Sequence, residues 1–172
     1  MRAGVGYDVH PLKRHRRLVL GGVEIPHGYG LDGHSDADVV VHAIIDALLG
    51  AAGLGDIGMH FPPSDPQYKD ISSITLLRRV GDLLQEHGWQ VSNVDATIVA
   101  EQPHLSSYVP RMRQTIGDGL GIDREQVSVK STTSKGLGFL GQRKGIAAHA
   151  VALLRHAEAG EGLRGPGSSR VQ

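Results

Sequence analysis

A helix-length apolar segment from Asp36 to Ala52 constrains the fold more than any other part of the 172-residue chain. Most of its positions are Val, Ile, Leu or Ala, so apolar residues lie on every side of the predicted helix. A helix that is apolar on all sides is buried on all sides. The chain therefore folds around this segment, and its length suits one domain with a sizeable core.

The polar exceptions in this helix predict a functional site. Asp38, His42 and Asp46 are spaced by four residues and therefore form one stripe along the helix. A buried charged group costs several kcal/mol unless it is paired or bound to a metal. Two interpretations of His42 stay open at this point: a hydrogen-bonded core histidine, or a metal ligand.

The segment Asp8-Val9-His10 favours the metal interpretation. It ends a predicted strand, in which residues two apart point to the same side, so Asp8 and His10 converge on one point. With His42 they would supply three N/O ligands and leave the fourth zinc position open, as in catalytic sites. We expect Asp46 or Asp38 to orient an imidazole from behind. The chain has no cysteine, which excludes a thiolate zinc site and a disulfide scaffold.

Hydrophobic periodicity and turn residues predict alternating strands and helices. The predicted strands are residues 2–9, with a turn at Pro11, residues 18–25, with a hairpin or bulge at Gly21-Gly22, residues 91–100 and residues 127–131. The predicted helices are residues 35–52, 71–87, 110–119 and 146–157, and residues 54–70 are a predicted loop. This order indicates an α/β or α+β class, a single domain in which helices cover a β-sheet. We expect residues 1–157 to form the catalytic domain and residues 158–172 to be a disordered tail.

Two segments have residues suited to phosphate. Ser35 is a predicted N-cap of the buried helix, whose free N–H groups would attract an anion, and His34 stands beside it. Lys130 to Gly136 follows a strand with hydroxyls and backbone amides that can form an anion nest. Simple capping and ordinary turn chemistry remain the alternatives for these two segments.

Several function classes are disfavoured. Two GxGxxG matches, at 53–58 and 136–141, lack the strand-then-helix context of a dinucleotide site. The run Lys13-Arg14-His15-Arg16-Arg17 is too short to indicate nucleic acid, and is either a solvated loop or an attraction for an anionic substrate. One Trp, four Tyr and two Phe argue against base stacking. With no apolar signal core and no membrane-spanning run, we expect a cytoplasmic protein that binds neither membrane nor nucleic acid.

Taken together, these segments resemble the 2-C-methyl-D-erythritol 2,4-cyclodiphosphate synthases of the non-mevalonate isoprenoid pathway. The likeness covers residue 1 to about residue 155 in order. It rests on GVGYDVH at 4–10, HSDAD at 34–38, HAIIDALLGAA at 42–52, GDIG at 55–58, FPPSDP at 61–66, KSTT at 130–133 and LGF at 137–139.

The resemblance implies a homotrimer with active sites between subunits. The 2-phosphate of 4-diphosphocytidyl-2-C-methyl-D-erythritol 2-phosphate would attack the β-phosphorus, CMP would leave, and a cyclic diphosphate would form. By similarity, zinc is bound by Asp8, His10 and His42, and a second divalent cation, magnesium or manganese, assists. Such phosphoryl transfer needs positioning and charge neutralisation rather than a protein nucleophile.

The resemblance also implies site residues. His34 and Thr133 match the positions that assist the transition state. Substrate contacts are implied for Asp8, His10, His34, Ser35, Asp56, Ile57, Gly58, Phe61, Pro62, Pro63, Ser64, Asp65, Ala100, Pro103, His104, Leu105, Ser106, Thr132, Thr133, Ser134, Lys135, Phe139 and Gln142.

The sequence departs from the family pattern at several positions. Lys135 stands where the family has a glutamate that helps to bind the second metal, and a charged lysine cannot ligate a hard cation. His104 replaces a frequent lysine near the CDP group, while Gln142 and His149 replace an arginine and an acidic residue near the trimer axis. Lys135 favours an alternative function, a catalytically weak trimeric module that binds CDP or isoprenoid phosphates. An unrelated zinc hydrolase is the third interpretation.

Overall fold

A computed structural model of the chain describes residues 1–157, which form one α+β domain. The strands are β1 (Arg2–Arg14), β2 (Leu18–Leu20), β3 (Val23–Ile25), β4 (Tyr29–Leu31), β5 (Trp89–Val99), β6 (Val127–Thr132) and β7 (Gly145–His156). The helices are α1 (Val39–Ala52), α2 (Ile57–His60), α3 (Ser73–Glu86), α4 (Val109–Leu120) and α5 (Gly138–Gly141), with short 3-10 turns at Pro66–Tyr68 and Arg124–Gln126. The predicted disordered tail, 158–172, lies outside the described residues. No helix within residues 1–157 is long and apolar enough to cross a membrane.

The main sheet has five strands in the order β4-β1-β7-β5-β6. All neighbours are antiparallel except β5 and β6, which run parallel. β2 and β3 form a separate hairpin, so of the two predicted forms of the Gly21-Gly22 break the hairpin is correct. The helices that cover one face of this sheet confirm the predicted α+β class.

Helix α1 lies directly against β1 and β7, and its apolar residues are fully buried. Gly4 and Gly6 of β1 make this contact possible. A Cβ atom at Gly4 would overlap the backbone oxygen of Ala47, and one at Gly6 would overlap that of Ala43. The backbones of strand and helix therefore approach more closely than side chains would allow. This contact places α1 over the first half of β1, next to Asp8.

The prediction of a last helix over residues 146–157 is wrong. That segment is β7, a strand between β1 and β5 at the centre of the sheet. Its burial alternates, with Ala148 and Ala150 buried against α1 and His149 and Val151 exposed on the other face. Alanine favours helices in isolation, but here small side chains on alternate positions leave room for α1. Tertiary packing therefore overrides the local preference.

Other element boundaries also differ from the prediction. β1 does not turn at Pro11 but continues to Arg14, because Leu12 N–H donates to the Lys144 carbonyl at 2.9 Å. α1 begins at Val39 with Asp38 as its N-cap, so the prediction of Ser35 as the N-cap is wrong. The predicted loop of residues 54–70 contains α2 and a 3-10 turn.

The sheet face opposite the helices has several exposed side chains among residues 1–157. Val5 is 75% exposed, Tyr7 49% and Val151 46%. The Tyr7 ring contacts the His149 ring across the β1–β7 pair, with ring centroids 4.8 Å apart. Apolar area of this kind on a central pair of strands is typical of an interaction surface.

Candidate metal centre and phosphate pocket

Asp8, His10 and His42 meet beside the middle of β1. Asp8 Oδ2 lies 2.9 Å from His10 Nε2 and 3.0 Å from His42 Nδ1, and the two imidazole nitrogens are 3.2 Å apart. Asp8 and His10 reach this point because they occupy alternate positions of β1 on the face toward α1, while His42 lies in the first turn of α1 after the Asp38 cap. The predicted convergence of these residues is confirmed as geometry.

The donor set fits a divalent cation. His10 Nδ1 lies 2.7 Å from the Asp32 carbonyl, which accepts only from a protonated nitrogen, so a neutral His10 directs the lone pair of Nε2 at the centre. His42 Nε2 lies 2.9 Å from Ser73 Oγ and 3.2 Å from Ser35 Oγ. Because the Ser73 hydroxyl donates its proton to Asp36, it accepts from His42 Nε2, and the lone pair of Nδ1 faces the centre. Two lone pairs and a carboxylate oxygen facing one point repel each other unless a cation lies between them. These groups are the ligands that zinc prefers.

The groups that orient the imidazoles are not those expected from the sequence. The expectation that Asp38 or Asp46 orients an imidazole is wrong. Asp38 accepts from the backbone N–H groups of Gly21 at 2.9 Å and Gly22 at 2.6 Å, and Asp46 accepts from that of Ile57 at 2.8 Å. Instead, the Asp32 carbonyl orients His10, and the Ser73 and Ser35 hydroxyls orient His42. No sequence pattern marks these groups as partners of the imidazoles.

The electrostatics of the centre favour an ionised Asp8. Burial opposes its ionisation, but hydrogen bonds and charge from His10 and His42 outweigh burial and hold the pKa of Asp8 far below its usual range. For His10, burial acts to lower the pKa, and the contact with Asp8 prevails and raises it. At Asp38, burial and the charge of Asp36 raise the pKa to about 6 against the hydrogen bonds from Gly22, Gly21 and Val41.

The metal centre opens into a cavity of about 360 Å³. Six of the residues predicted to contact substrate line it beside the three ligands: His34, Ser35, Ile57, Gly58, Phe61 and Pro63. Asp56, Pro62, Ser64 and Asp65 are chain neighbours of that wall but do not line the cavity. Asp46, Tyr68, Ile71 and Leu76 complete the lining and are not among the predicted contacts.

The remaining predicted contacts do not line this cavity. Val9 of β1 is in register with Ala147, Ala147 with Val99, and Val99 with Thr132. Thr132 is therefore three strand spacings, or about 14 Å, from β1. In one copy of the chain the following predicted contacts therefore do not reach the cavity beside the metal centre: Ala100, Pro103, His104, Leu105, Ser106, Thr132, Thr133, Ser134, Lys135, Phe139 and Gln142.

Glu101, which the sequence reasoning missed as an organising residue, holds the Thr133 loop in place. Its Oε1 accepts from Ser134 N–H at 2.9 Å, Ser134 Oγ at 3.0 Å and Gly136 N–H at 3.3 Å. The Gly136 and Ser134 hydrogen bonds lower the pKa of Glu101. Lys135 lies between these residues with φ of 56° and is exposed. Gln142 lines a separate cavity of about 350 Å³ together with Glu101.

Comparison with known proteins gives long matches. The YgbB family model matches residues 1–155. The 2-C-methyl-D-erythritol 2,4-cyclodiphosphate synthase of Syntrophomonas wolfei is 63% identical over 157 residues, which cover 91% of this chain and 100% of that protein. The enzyme of the same name from Moorella thermoacetica is 58% identical over 163 residues, 95% of this chain and 100% of that one. The structure of Plasmodium falciparum IspF in complex with CDP superposes with a TM-score of 0.80 at 35% identity, over 91% of this chain and 97% of that one.

Proposed function

The chain belongs to the YgbB family, and on that basis we propose that it is a phosphorus–oxygen lyase of isoprenoid precursor biosynthesis. It converts 4-diphosphocytidyl-2-C-methyl-D-erythritol 2-phosphate to 2-C-methyl-D-erythritol 2,4-cyclodiphosphate and CMP. The observation that carries this proposal is the full-length, 63% identical match to a synthase of that name. The convergence of Asp8, His10 and His42 beside a cavity supports it.

The reaction needs no protein nucleophile. An oxygen of the 2-phosphate attacks the β-phosphorus, and the bond from that phosphorus to the oxygen bridging the α-phosphorus breaks. CMP leaves with the bridging oxygen and its electron pair. Both reacting groups are anionic, so the chain has to supply cationic surroundings and hold them in line.

Asp8, His10 and His42 would hold zinc, with the open position toward the cavity. Zinc supplies Lewis-acid polarisation of phosphate oxygens when bound. His34 would donate a hydrogen bond to a phosphate oxygen, because it lines the same cavity as the ligands. Ser35, Asp56 and Gly58 would contact the erythritol phosphate. Thr133 would contact the diphosphate, and the segments at 100–106 and 132–135 the CDP arm.

We propose a homotrimer in which each active site joins two copies. The separation of about 14 Å between β1 and β6 supports this arrangement, because Thr133 directly follows β6 and does not line the cavity beside its own metal centre. A second copy can supply it, and the exposed apolar residues Val5, Tyr7 and Val151 offer a surface for assembly. Residues 1–157 would be the catalytic domain in each copy.

Mixed assemblies test the shared site. Thr133→Ala and His42→Ala are each expected to be nearly inactive alone. In trimers assembled at random from equal amounts of the two variants, about one site in four pairs an intact His42 with an intact Thr133. Activity should therefore recover to about one quarter of the native value. A mixture as inactive as its components would show that the site does not combine two copies.

The second cation is a separate question because of Lys135. We propose that magnesium or manganese assists, and that the Lys135 ammonium replaces part of the charge of this cation. A lysine that points away, with phosphates and water alone holding the cation, is the competing arrangement. Metal-stripped native enzyme should depend less steeply on added magnesium than Lys135→Glu does. Equal dependence would refute the replacement.

A catalytically weak binding module is the second candidate function, and Lys135 is the observation that favours it. Incubation with substrate, zinc and magnesium distinguishes the two. A lyase releases one CMP for each cyclic product formed. His42→Ala, which lacks one metal ligand, should release no CMP. Bound zinc and CDP without CMP release would establish the binding module instead.

A further inference from the structure

The guanidinium of Arg16 contacts three backbone carbonyls of one short segment. Its Nε donates to the Leu31 carbonyl at 3.1 Å, and its Nη2 donates to those of Gly33 and Ser35, both also at 3.1 Å. Arg16 Nη1 lies 4.0 Å from Asp70 Oδ1. The side chain is 30% exposed, so these contacts are partly shielded from water. Arg16 belongs to the basic run at 13–17, which the substrate chemistry above does not use.

The segment held by Arg16 is the one that organises the metal centre. Between the carbonyls that Arg16 binds, the Asp32 carbonyl lies 2.7 Å from His10 Nδ1. Ser35 Oγ lies 3.2 Å from His42 Nε2. His34 lies between Gly33 and Ser35, whose carbonyls both accept from Arg16 Nη2. The His34 carbonyl accepts from Asp70 N–H at 2.9 Å. The segment therefore binds Arg16 through the carbonyls of Leu31, Gly33 and Ser35, and contacts the two imidazoles through the Asp32 carbonyl and the Ser35 hydroxyl.

We propose that Arg16 is a positioning residue that holds residues 31–35 so that His10, His34 and His42 keep their orientation. The expected effect of Arg16 on catalysis rests on the function proposed above. Arginine suits this task because its planar fork has donors in fixed directions, whereas a lysine ammonium is a single point of charge. Among the neighbouring basic residues, Arg17 pairs with Glu24, outside the segment, at 3.4 Å. Lys13 contacts the segment only through an exposed ion pair with the Asp32 side chain at 3.2 Å, and does not bind its backbone carbonyls.

The test compares Arg16→Met with Arg17→Met, which removes an equal charge from the same run. Arg17 is the control because its side chain is 77% exposed and its partner is a surface carboxylate. In Arg16→Met the affinity of the metal-free protein for zinc, measured by chelator competition, should fall about 10–100-fold. The amides of residues 32–36 should exchange hydrogen faster, and kcat should fall at least about tenfold while KM changes less. Arg17→Met should leave all three quantities within about twofold of the native values.

Two further measurements separate positioning from folding and from the proposed activity. Arg16→Lys, which keeps the charge but not the fork, should recover thermal stability more fully than zinc affinity and kcat. Full recovery of all three would mean that charge alone matters and would overturn the proposal. So would equal zinc affinity and amide exchange in Arg16→Met and Arg17→Met. Zinc affinity and exchange need no substrate, so they decide the proposal even if the native protein releases no CMP.

Discussion

Replacing Gly6 by alanine is expected to separate the metal ligands without changing any of them. A Cβ at this position would overlap the Ala43 oxygen and lie only 2.8 Å from Ala47 N and 2.9 Å from Ala43 C. Ordinary carbon contacts are about 3.5–4.0 Å, so α1 has to retreat by at least about 1 Å. The obstructing atoms are backbone, which no side-chain rotation can relieve.

The retreat of α1 carries His42 away from Asp8, to which it now lies at 3.0 Å. Overpacking of this kind costs about 1–3 kcal/mol, which lowers the Tm of a domain of this size by about 2–12 °C. Misplacing a catalytic group by about 1 Å can cost on the order of 100-fold in kcat. Zinc affinity should fall as well, since one of three protein ligands moves out of reach.

The assay compares Gly6→Ala with Gly28→Ala, in which the added Cβ meets no atom within 4 Å. Thermal unfolding, zinc competition and CMP release are measured on both variants. Gly28→Ala should resemble the native protein in all three. The reasoning is refuted if Gly6→Ala keeps the native Tm and zinc affinity, because α1 would then not be held by the strand backbone.

Three further predictions follow from single contacts. Ser73→Ala removes the hydroxyl 2.9 Å from His42 Nε2 and should weaken zinc binding about 10–100-fold. Ser72→Ala is the control, because the Ser72 side chain makes no capping hydrogen bond, and it should keep the native zinc affinity. Equal affinities in the two variants would contradict the orienting role of Ser73. Asp8 raises the pKa of His10, while its own pKa lies below the usual range, so zinc has to displace a proton from His10 below the pKa of that residue. Zinc affinity should therefore fall by at least about tenfold per pH unit below the His10 pKa, and a flat profile from about pH 5 to 9 would argue against His10 as a ligand. Gly50→Ala, at an exposed α1 position with no atom within 4 Å of the new Cβ, should raise the free energy of unfolding by about 0.5–1 kcal/mol in chemical denaturation, and a loss of stability would show that Gly50 serves a contact.

Part of the fold and of the site could be predicted because it rests on local chemistry. The polar exceptions in an otherwise apolar helix marked His42, and the two-residue spacing of Asp8 and His10 marked their common side. A buried carboxylate or imidazole has to be paired or bound to a metal, so one metal site shared by Asp8, His10 and His42 is the simplest interpretation of the sequence. The Gly21-Gly22 turn is local in the same sense.

The rest depends on partners distant in sequence. β7 resembles a helix because alanine is the best helix former, and only the approach of α1 explains why its inner positions are small. Asp38 caps α1 and binds the β2–β3 turn, which a stripe drawn on the helix alone does not predict. Arg16 looked like one of several solvated charges, because its acceptors are backbone carbonyls that carry no sequence signal.

Anomalous X-ray scattering at the zinc edge, from crystals of protein never exposed to chelator, tests the central claim most directly. The account predicts a single strong peak bounded by Asp8, His10 and His42, at about 2.0–2.2 Å from one oxygen and two nitrogen ligands. His42→Ala crystals should lose most of it. A peak bound elsewhere, or none in a folded sample supplied with zinc, would contradict the account.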